Sequence, residues 1–213
     1  MRQHLPNLLT VLRLILAAVF FVVLNQYRYG HNAATWPLWY STALFILASI
    51  TDWLDGHLAR KWRVETTFGR IMDPFCDKVL VIGALIYLAG ARFVDPKMVQ
   101  QGEFHTMVSG IYPWMIAVVL ARELLVTGIR GEMESRGMQF GAKLSGKLKT
   151  IVQLAAIPII LAIVALDPHT PDHRWMTIVR TVLVYATVVV TVASGTPYII
   201  SVAISMRNQN DNR

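Results

Sequence analysis

The fold of this chain is decided by residues 52–77, which read DWLDGHLARKWRVETTFGRIMDPFCD. An apolar run lies on each side of this segment, and we expect both runs to be helical. Asp52 and Asp55, three residues apart, then share one face near the end of the first helix. Asp73 and Asp77, four residues apart, share one face at the start of the second. A short connection folds the helices back antiparallel, so the sequence predicts that the two acidic pairs meet.

Four carboxylates in one place need a counter-charge. At about 6 Å and an effective dielectric of about 20, each like-charged pair repels by about 3 kcal/mol. An Asp within a transmembrane helix costs about 2.5–3.5 kcal/mol. A hard divalent cation offsets these costs, and ligation by oxygen alone favours Mg²⁺, Mn²⁺ or Ca²⁺. Two such ions could share the four carboxylates and clamp a diphosphate.

The alternative interpretation is that these aspartates stabilise helix ends. Asp73 before Pro74 is a favourable N-cap followed by proline at the first helical position. Asp52 or Asp55 could pair with Arg60. Capping accounts for Asp73 but leaves the other three carboxylates unexplained, so a metal site is the preferred hypothesis.

The spacing D-x-x-D-G-x-x-A-R-x8-G-x3-D-x3-D resembles the signature of the CDP-alcohol phosphotransferases. All eight fixed positions are filled, by Asp52, Asp55, Gly56, Ala59, Arg60, Gly69, Asp73 and Asp77. The resemblance implies that the four aspartates hold one or two Mg²⁺ or Mn²⁺ ions and that Asp77 is the general base. It also implies that the CDP group contacts the other four positions. Without the resemblance, Gly56 and Ala59 are equally typical of helix packing in membranes.

Composition indicates a membrane protein. The 213 residues are 54% hydrophobic and 15% charged, with a mean hydropathy of +0.47. We predict an all-α integral membrane protein in which residues 1–213 form a single domain, and the resemblance implies the CDP-alcohol phosphotransferase fold. Six apolar runs approach membrane-spanning length, and they cover residues 8–27, 36–60, 71–92, 111–131, 147–166 and 176–205. A cleaved signal peptide is disfavoured for the first run, because no small-residue cleavage site follows it. The single cysteine, Cys76, excludes an intramolecular disulfide and a cysteine-based zinc site.

The placement of basic residues predicts the orientation. If the amino terminus is cytoplasmic, the segments on that side carry twelve Lys and Arg residues and the opposite segments carry four. The positive-inside rule then places both termini, the acidic segment and the basic 130–149 region on the cytoplasmic side of the cell (inner) membrane. Nucleic-acid binding is disfavoured, since the basic residues lie in short loops between spans.

A polar stripe enters the first span. Asn7, Thr10 and Arg13 follow one another at intervals of three residues and therefore share a helix face. We interpret Asn7 and Thr10 as part of the nucleotide-binding wall. The alternative is that Asn7 caps the helix and that Arg13 extends to the membrane interface.

A second polar stretch begins at Arg122, eight residues before Arg130 and therefore about 12 Å deeper along a helix. Asp52 precedes Arg60 by the same interval, so Arg122 is expected at the level of the acidic cluster. A guanidinium at that depth needs a partner. Glu123, on the next face of the helix, is a poor match, and we therefore predict a bound phosphate or a carboxylate of another helix.

The remaining candidates for binding an acceptor phosphate are Arg130, Lys147 and Lys149. For Arg130 the alternative is a solvated helix end, since Glu134 stands four residues away. For the two lysines the alternative is anchoring by the positive-inside rule.

The segments RELLVTGIR (122–130) and GKLKT (146–150) also resemble the bacterial phosphatidylglycerophosphate synthases of the same family. This resemblance implies transfer of a phosphatidyl group from CDP-diacylglycerol to sn-glycerol 3-phosphate in a lipid bilayer, with release of CMP by direct displacement. A homodimer is typical of the family. The open alternatives are another acceptor (inositol phosphate, serine or phosphatidylglycerol) and, from a different class, a divalent-cation transporter.

Overall fold

The computed structural model describes residues 5–30, 34–62, 67–135, 144–166 and 174–211. Within these ranges the chain forms seven α-helices, one short 3-10 turn at Ala91–Phe93 and no strand. The helices are α1 (Leu5–Leu24), α2 (Trp36–Trp62), α3 (Thr67–Leu88), α4 (Pro96–Gln100), α5 (Pro113–Ser135), α6 (Leu144–Ala165) and α7 (Arg174–Asp211). The prediction of an all-α protein is confirmed.

The six long helices overlap the six apolar runs, but the sequence prediction omitted α4. This short helix lies between the predicted spans 71–92 and 111–131. Asp95 caps it by accepting a hydrogen bond from the Lys97 N–H at 2.9 Å, and Pro96 occupies its first turn. An Asp-Pro pair starts a helix readily, because the capping oxygen and the fixed proline φ both suit a first turn.

The acidic segment is helical on both sides of its connection. Helix α2 continues to Trp62, so Asp52 and Asp55 lie in its last three turns. Helix α3 begins at Thr67, six residues before Asp73. Asp73 is therefore inside the helix, and the hypothesis that it caps the helix is wrong.

Aromatic packing fixes α1 against α2 and α3. The Phe20 and Phe45 rings lie 5.7 Å apart between α1 and α2, and the Phe21 and Tyr87 rings stack at 5.4 Å between α1 and α3. Gly83 makes this approach possible, because a Cβ there would lie 2.3 Å from Cζ of Phe21. A Cβ at this position would force the Phe21 ring to move.

Buried polar groups hold the turn before α5 against α3 and α7. The Ser109 hydroxyl donates to the Leu88 carbonyl at 2.6 Å, and the Arg180 guanidinium donates to the Val108 carbonyl. Gly110 takes a positive φ of 72° beside Arg180. Glycine is favoured at this position, because other residues rarely adopt that backbone conformation.

The helices present an apolar exterior. Within the described ranges, Gly146–Ala165 and Arg174–Ile200 are long and apolar enough to cross a membrane, and Leu8–Leu24 is a shorter apolar helix. Large apolar side chains such as Ile15, Val22 and Leu124 are exposed on the outer surface. A membrane-embedded protein explains this surface, whereas an aqueous one does not. Six membrane crossings and their orientation stay predictions.

Candidate active site

Arg13 brings three of the motif aspartates together. Its Nη1 atom lies 2.5 Å from Oδ1 of Asp52 and 3.0 Å from Oδ1 of Asp77, and its Nη2 atom pairs with Oδ2 of Asp55. The Arg13 side chain is only 1% exposed, so the alternative in which it extends to the membrane interface is wrong. The reason is that α1 packs in the angle between α2 and α3, and Arg13 faces inward. We call this group the acidic site.

One end of the acidic site is buried in the protein and the other end is exposed. Asp55 is 4% exposed, whereas Asp52 is 33% and Asp77 is 49% exposed. Three carboxylates around one guanidinium also leave an excess of negative charge. This arrangement favours binding of a further cation, which would enter from the exposed side formed by Asp52 and Asp77.

The donor set fits a hard divalent cation, since it consists of carboxylate oxygens that already surround a positive charge. Within the ranges described above, no three His, Cys, Asp or Glu side chains are grouped tightly enough to ligate one ion. The Arg13 guanidinium occupies the point that the three carboxylates share. The Asp73 side chain, the fourth predicted ligand, lies outside the described part of the chain.

The predicted nucleotide wall is described only in part. Thr10 is buried three residues before Arg13, so it borders the acidic site on the same face of α1. Gly56 follows Asp55 directly on α2. The other predicted positions, whose side-chain environment the structure does not describe, are Asn7, Ala59, Arg60 and Gly69.

A second polar group centres on Glu123 of α5, which is buried. Oε1 of Glu123 accepts a hydrogen bond from Nη1 of Arg122 at 2.9 Å and pairs with Nζ of Lys149 from α6. Nη2 of Arg122 donates to Oγ of Ser194 on α7 at 2.8 Å. The expectation that Glu123 would not pair with Arg122 is wrong. Consecutive helix residues point about 100° apart, but both long side chains bend toward the same space beside α6 and α7.

Lys78 connects the two groups, and the sequence analysis missed it. It follows Asp77 directly on α3, and its Nζ atom donates to Oγ1 of Thr127 at 2.7 Å. Thr127 lies four residues after Glu123, on the same face of α5. The signal was present in the sequence, because a lysine inside an apolar run needs a polar partner. We call Arg122, Lys149, Lys78 and Glu123 the basic cluster.

The other two predicted phosphate ligands lie outside this cluster. Arg130 is half-buried about two turns beyond Arg122, and Lys147 is exposed on α6. Among the described side chains, neither forms an ion pair with Glu123. Glu134, the alternative partner of Arg130, has a side chain outside the described part of the chain.

Comparison with known proteins shows which family the chain belongs to. The profile of the CDP-alcohol phosphatidyltransferase family matches residues 3–193. Members of this family generally use divalent metal ions.

Several curated relatives carry the same name. The CDP-diacylglycerol--glycerol-3-phosphate 3-phosphatidyltransferase of Cereibacter sphaeroides is 35% identical over 163 residues, which are 75% of this chain and 64% of the relative. The match therefore spans less than two thirds of that relative. The Bacillus subtilis protein of that name is 32% identical over 164 residues, covering 74% of this chain and 76% of the relative. A probable phosphatidylglycerophosphate synthase of Mycobacterium tuberculosis is 35% identical over 197 residues, covering 92% of this chain and 80% of the relative. The chain belongs to the CDP-alcohol phosphatidyltransferase family.

Proposed function

We propose that this protein transfers a phosphatidyl group from CDP-diacylglycerol to sn-glycerol 3-phosphate, forming phosphatidylglycerophosphate and CMP in phospholipid biosynthesis. The observation that carries the proposal is the direct adjacency of Asp77 and Lys78 on α3. Asp77 belongs to the acidic site and Lys78 to the basic cluster. A cation-binding site beside an anion-binding site suits a reaction between a lipid diphosphate and a small phosphorylated alcohol. The names of the relatives support the same reaction.

The acidic site would hold one or two Mg²⁺ or Mn²⁺ ions through Asp52, Asp55, Asp73 and Asp77. A bound ion supplies charge neutralisation at the diphosphate and makes CMP a better leaving group. Arg13 pairs with the buried Asp55 carboxylate, so the negative charge of Asp55 is compensated without a bound ion. On the nucleotide side, Thr10 and Gly56 would contact the CDP group, together with Asn7, Ala59, Arg60 and Gly69.

Asp77 would act as the general base that takes the proton from the acceptor hydroxyl. It is the most exposed of the three described carboxylates, and it directly precedes Lys78 of the basic cluster. A base must be within hydrogen-bond reach of the proton it removes. The position of Asp77 between the two groups suits this role, and a direct displacement needs no covalent intermediate.

The basic cluster would hold the acceptor phosphate. Arg122, Lys149 and Lys78 carry three positive charges and Glu123 one negative charge, which leaves two positive charges. A phosphate monoester with a second pKa of about 6 carries nearly two negative charges at neutral pH. The charges of the cluster and the acceptor therefore match. Arg130 and Lys147 would contact the acceptor or its phosphate at the entrance.

The distribution of basic residues supports six membrane crossings with both termini and the active site facing the cytoplasm. The acceptor is water-soluble and the donor is a lipid, so a site at this boundary serves both. We also propose that the protein forms a homodimer in the lipid bilayer of the cell membrane.

The proposal is tested by supplying purified protein with CDP-diacylglycerol and one acceptor at a time. The acceptors are sn-glycerol 3-phosphate, inositol phosphate, serine and phosphatidylglycerol, and the product lipid is identified by mass spectrometry. We expect phosphatidylglycerophosphate with the first acceptor and little product with the others. Preferential formation of a different lipid would contradict the assigned acceptor while leaving the family intact.

A further inference from the structure

We propose that the C-terminal helix α7 forms one wall of the acceptor-phosphate site, with Ser194 and Gly195 as positioning residues for Arg122. This inference rests on the proposed function, and it gives the C-terminal span a role in acceptor binding. Neither residue would touch the substrate. Each would act by fixing the position of the Arg122 guanidinium, which would contact the substrate.

The Ser194 hydroxyl is oriented to accept from Arg122. Ser194 is buried, and its Oγ atom receives the hydrogen bond from Nη2 of Arg122 at 2.8 Å. Its own proton is donated to the Thr191 carbonyl at 2.7 Å. Because that donation fixes the hydroxyl rotor, an oxygen lone pair faces Arg122. The serine therefore sets both the position and the direction of one arm of the guanidinium.

Gly195 leaves room for the stem of Arg122. A Cβ at this position would lie 3.3 Å from Cγ and 3.7 Å from Nε of Arg122. The first distance is tighter than most contacts between carbon atoms, so an added methyl group would displace the arginine by a few tenths of an ångström. Glycine here allows Arg122 to lie directly against the backbone of α7.

The Arg122 guanidinium has a donor left for a ligand. Nη1 and Nη2 donate to Glu123 and Ser194, whereas the buried Nε atom has no hydrogen-bond partner within the described residues. Buried polar groups are almost always paired in native proteins, so an unpaired donor calls for an explanation. Two of the five guanidinium N–H donors are used by Glu123 and Ser194, and the acceptor phosphate would take one of the others. The two existing contacts then decide where that phosphate is held.

The same turns of α7 also fix the helix that carries Lys149. Nε2 of Gln153 donates to Oγ1 of Thr191 at 3.1 Å, and both side chains are buried. Gln153 lies four residues after Lys149, on the same face of α6. Through Thr191 and Ser194, α7 thus sets the distance between Lys149 and Arg122. Helix α7 therefore contacts Arg122 directly and the helix of Lys149 through Gln153.

The test begins with two single variants of the full-length protein and a matched control for each. Ser194→Ala removes the acceptor, and Gly195→Ala adds the methyl group. Thr196→Ala is the control for the first, since Thr196 is an exposed hydroxyl residue on the same helix. Gly128→Ala is the control for the second, because a Cβ at Gly128 would meet nothing within 4 Å. Initial rates are measured against sn-glycerol 3-phosphate and against CDP-diacylglycerol, with thermal unfolding followed in parallel.

We expect both test variants to raise KM for sn-glycerol 3-phosphate by about fivefold or more, since they remove acceptor binding rather than chemistry. KM for CDP-diacylglycerol should stay within about twofold of the wild type. The controls should change neither constant. Ser194→Thr, which keeps the hydroxyl, should restore KM for the acceptor toward the wild-type value.

A double variant separates positioning from general packing. When Arg122→Lys has already removed the guanidinium, adding Ser194→Ala should raise KM for the acceptor no further, because coupled residues are not additive. Additive effects, or parallel increases in both KM values, would overturn the inference. Unchanged kinetics in Ser194→Ala would also overturn the inference. The Ser194→Ala variant tests the inference even if Gly195→Ala does not fold. A wild-type protein without turnover on sn-glycerol 3-phosphate would instead refute the proposed function, and this inference with it.

Discussion

Arg13 of α1 and Asp55 of α2 form an ion pair that is almost completely withdrawn from solvent, with 1% and 4% of their side chains exposed. Removing one partner of such a pair is costly, because the other charge stays buried without compensation. The pair also lies at the buried end of the acidic site. Substitutions there should therefore affect both the stability of the fold and the proposed chemistry.

We expect Arg13→Gln to lower stability by about 3–5 kcal/mol in the absence of divalent metal. Mg²⁺ should recover part of this loss, because the ion would neutralise the carboxylates that Arg13 has left. The measurement is the thermal unfolding temperature of the purified protein in EDTA and in Mg²⁺. Arg28→Gln, at an exposed position, serves as the matched control. A smaller Mg²⁺-induced rise in Arg13→Gln than in the wild type would contradict the expectation.

Asp77→Asn should separate binding from turnover. Loss of a general base typically reduces the rate by about 10²–10⁴-fold. Since Asp77 is half-exposed, the substitution should leave the unfolding temperature and the binding of CDP-diacylglycerol close to the wild type. Steady-state kinetics and equilibrium binding of the donor lipid check the two parts. Near-normal turnover in Asp77→Asn would show that the base is another group.

Lys78→Gln should raise KM for sn-glycerol 3-phosphate by about fivefold or more, because it removes one of the charges matched to the acceptor phosphate. Lys78→Arg should keep most of the affinity. Thr127→Val tests whether the hydrogen bond to Lys78 matters, and Thr127→Ser is its matched control because it retains the hydroxyl. If Lys78→Gln changed KM for CDP-diacylglycerol instead, Lys78 would belong to the donor site.

Gly83→Ala should loosen α1 from α3, since the new methyl group would overlap the Phe21 ring. Overpacking of this kind costs about 1–3 kcal/mol. Adding Phe21→Leu should recover part of the unfolding temperature, because the smaller side chain makes room for the methyl group. Gly131→Ala is the control, as a Cβ there meets nothing within 4 Å. Equal destabilisation of the single and double variants would argue against this contact as the cause.

The sequence predicted the parts of the fold that depend on short spacing. Hydropathy located the six long helices, and helical periodicity put Asp52 beside Asp55. The structure joins both residues to Asp77 through Arg13 of α1, whereas the Asp73 side chain lies outside the described residues. The positions of the long helices could be predicted because they rest on local periodicity.

Contacts between distant residues could not be predicted in the same way. Arg13 is 42 residues from Asp55 and 64 from Asp77, so no local pattern indicates that they pair. Arg122 and Ser194 are 72 residues apart. The prediction that Glu123 does not pair with Arg122 failed for a related reason. The angle between two residues on a helix does not fix the positions of the charged groups at the ends of long side chains.

The central claim is tested most directly by CMP release from CDP-diacylglycerol, measured for the purified protein in detergent with and without sn-glycerol 3-phosphate. The same pair of reactions is run in Mg²⁺ and in EDTA. The account predicts CMP release only when both the acceptor and the divalent ion are present, with one phosphatidylglycerophosphate formed per CMP. CMP release at the same rate without the acceptor, or in EDTA, would contradict it.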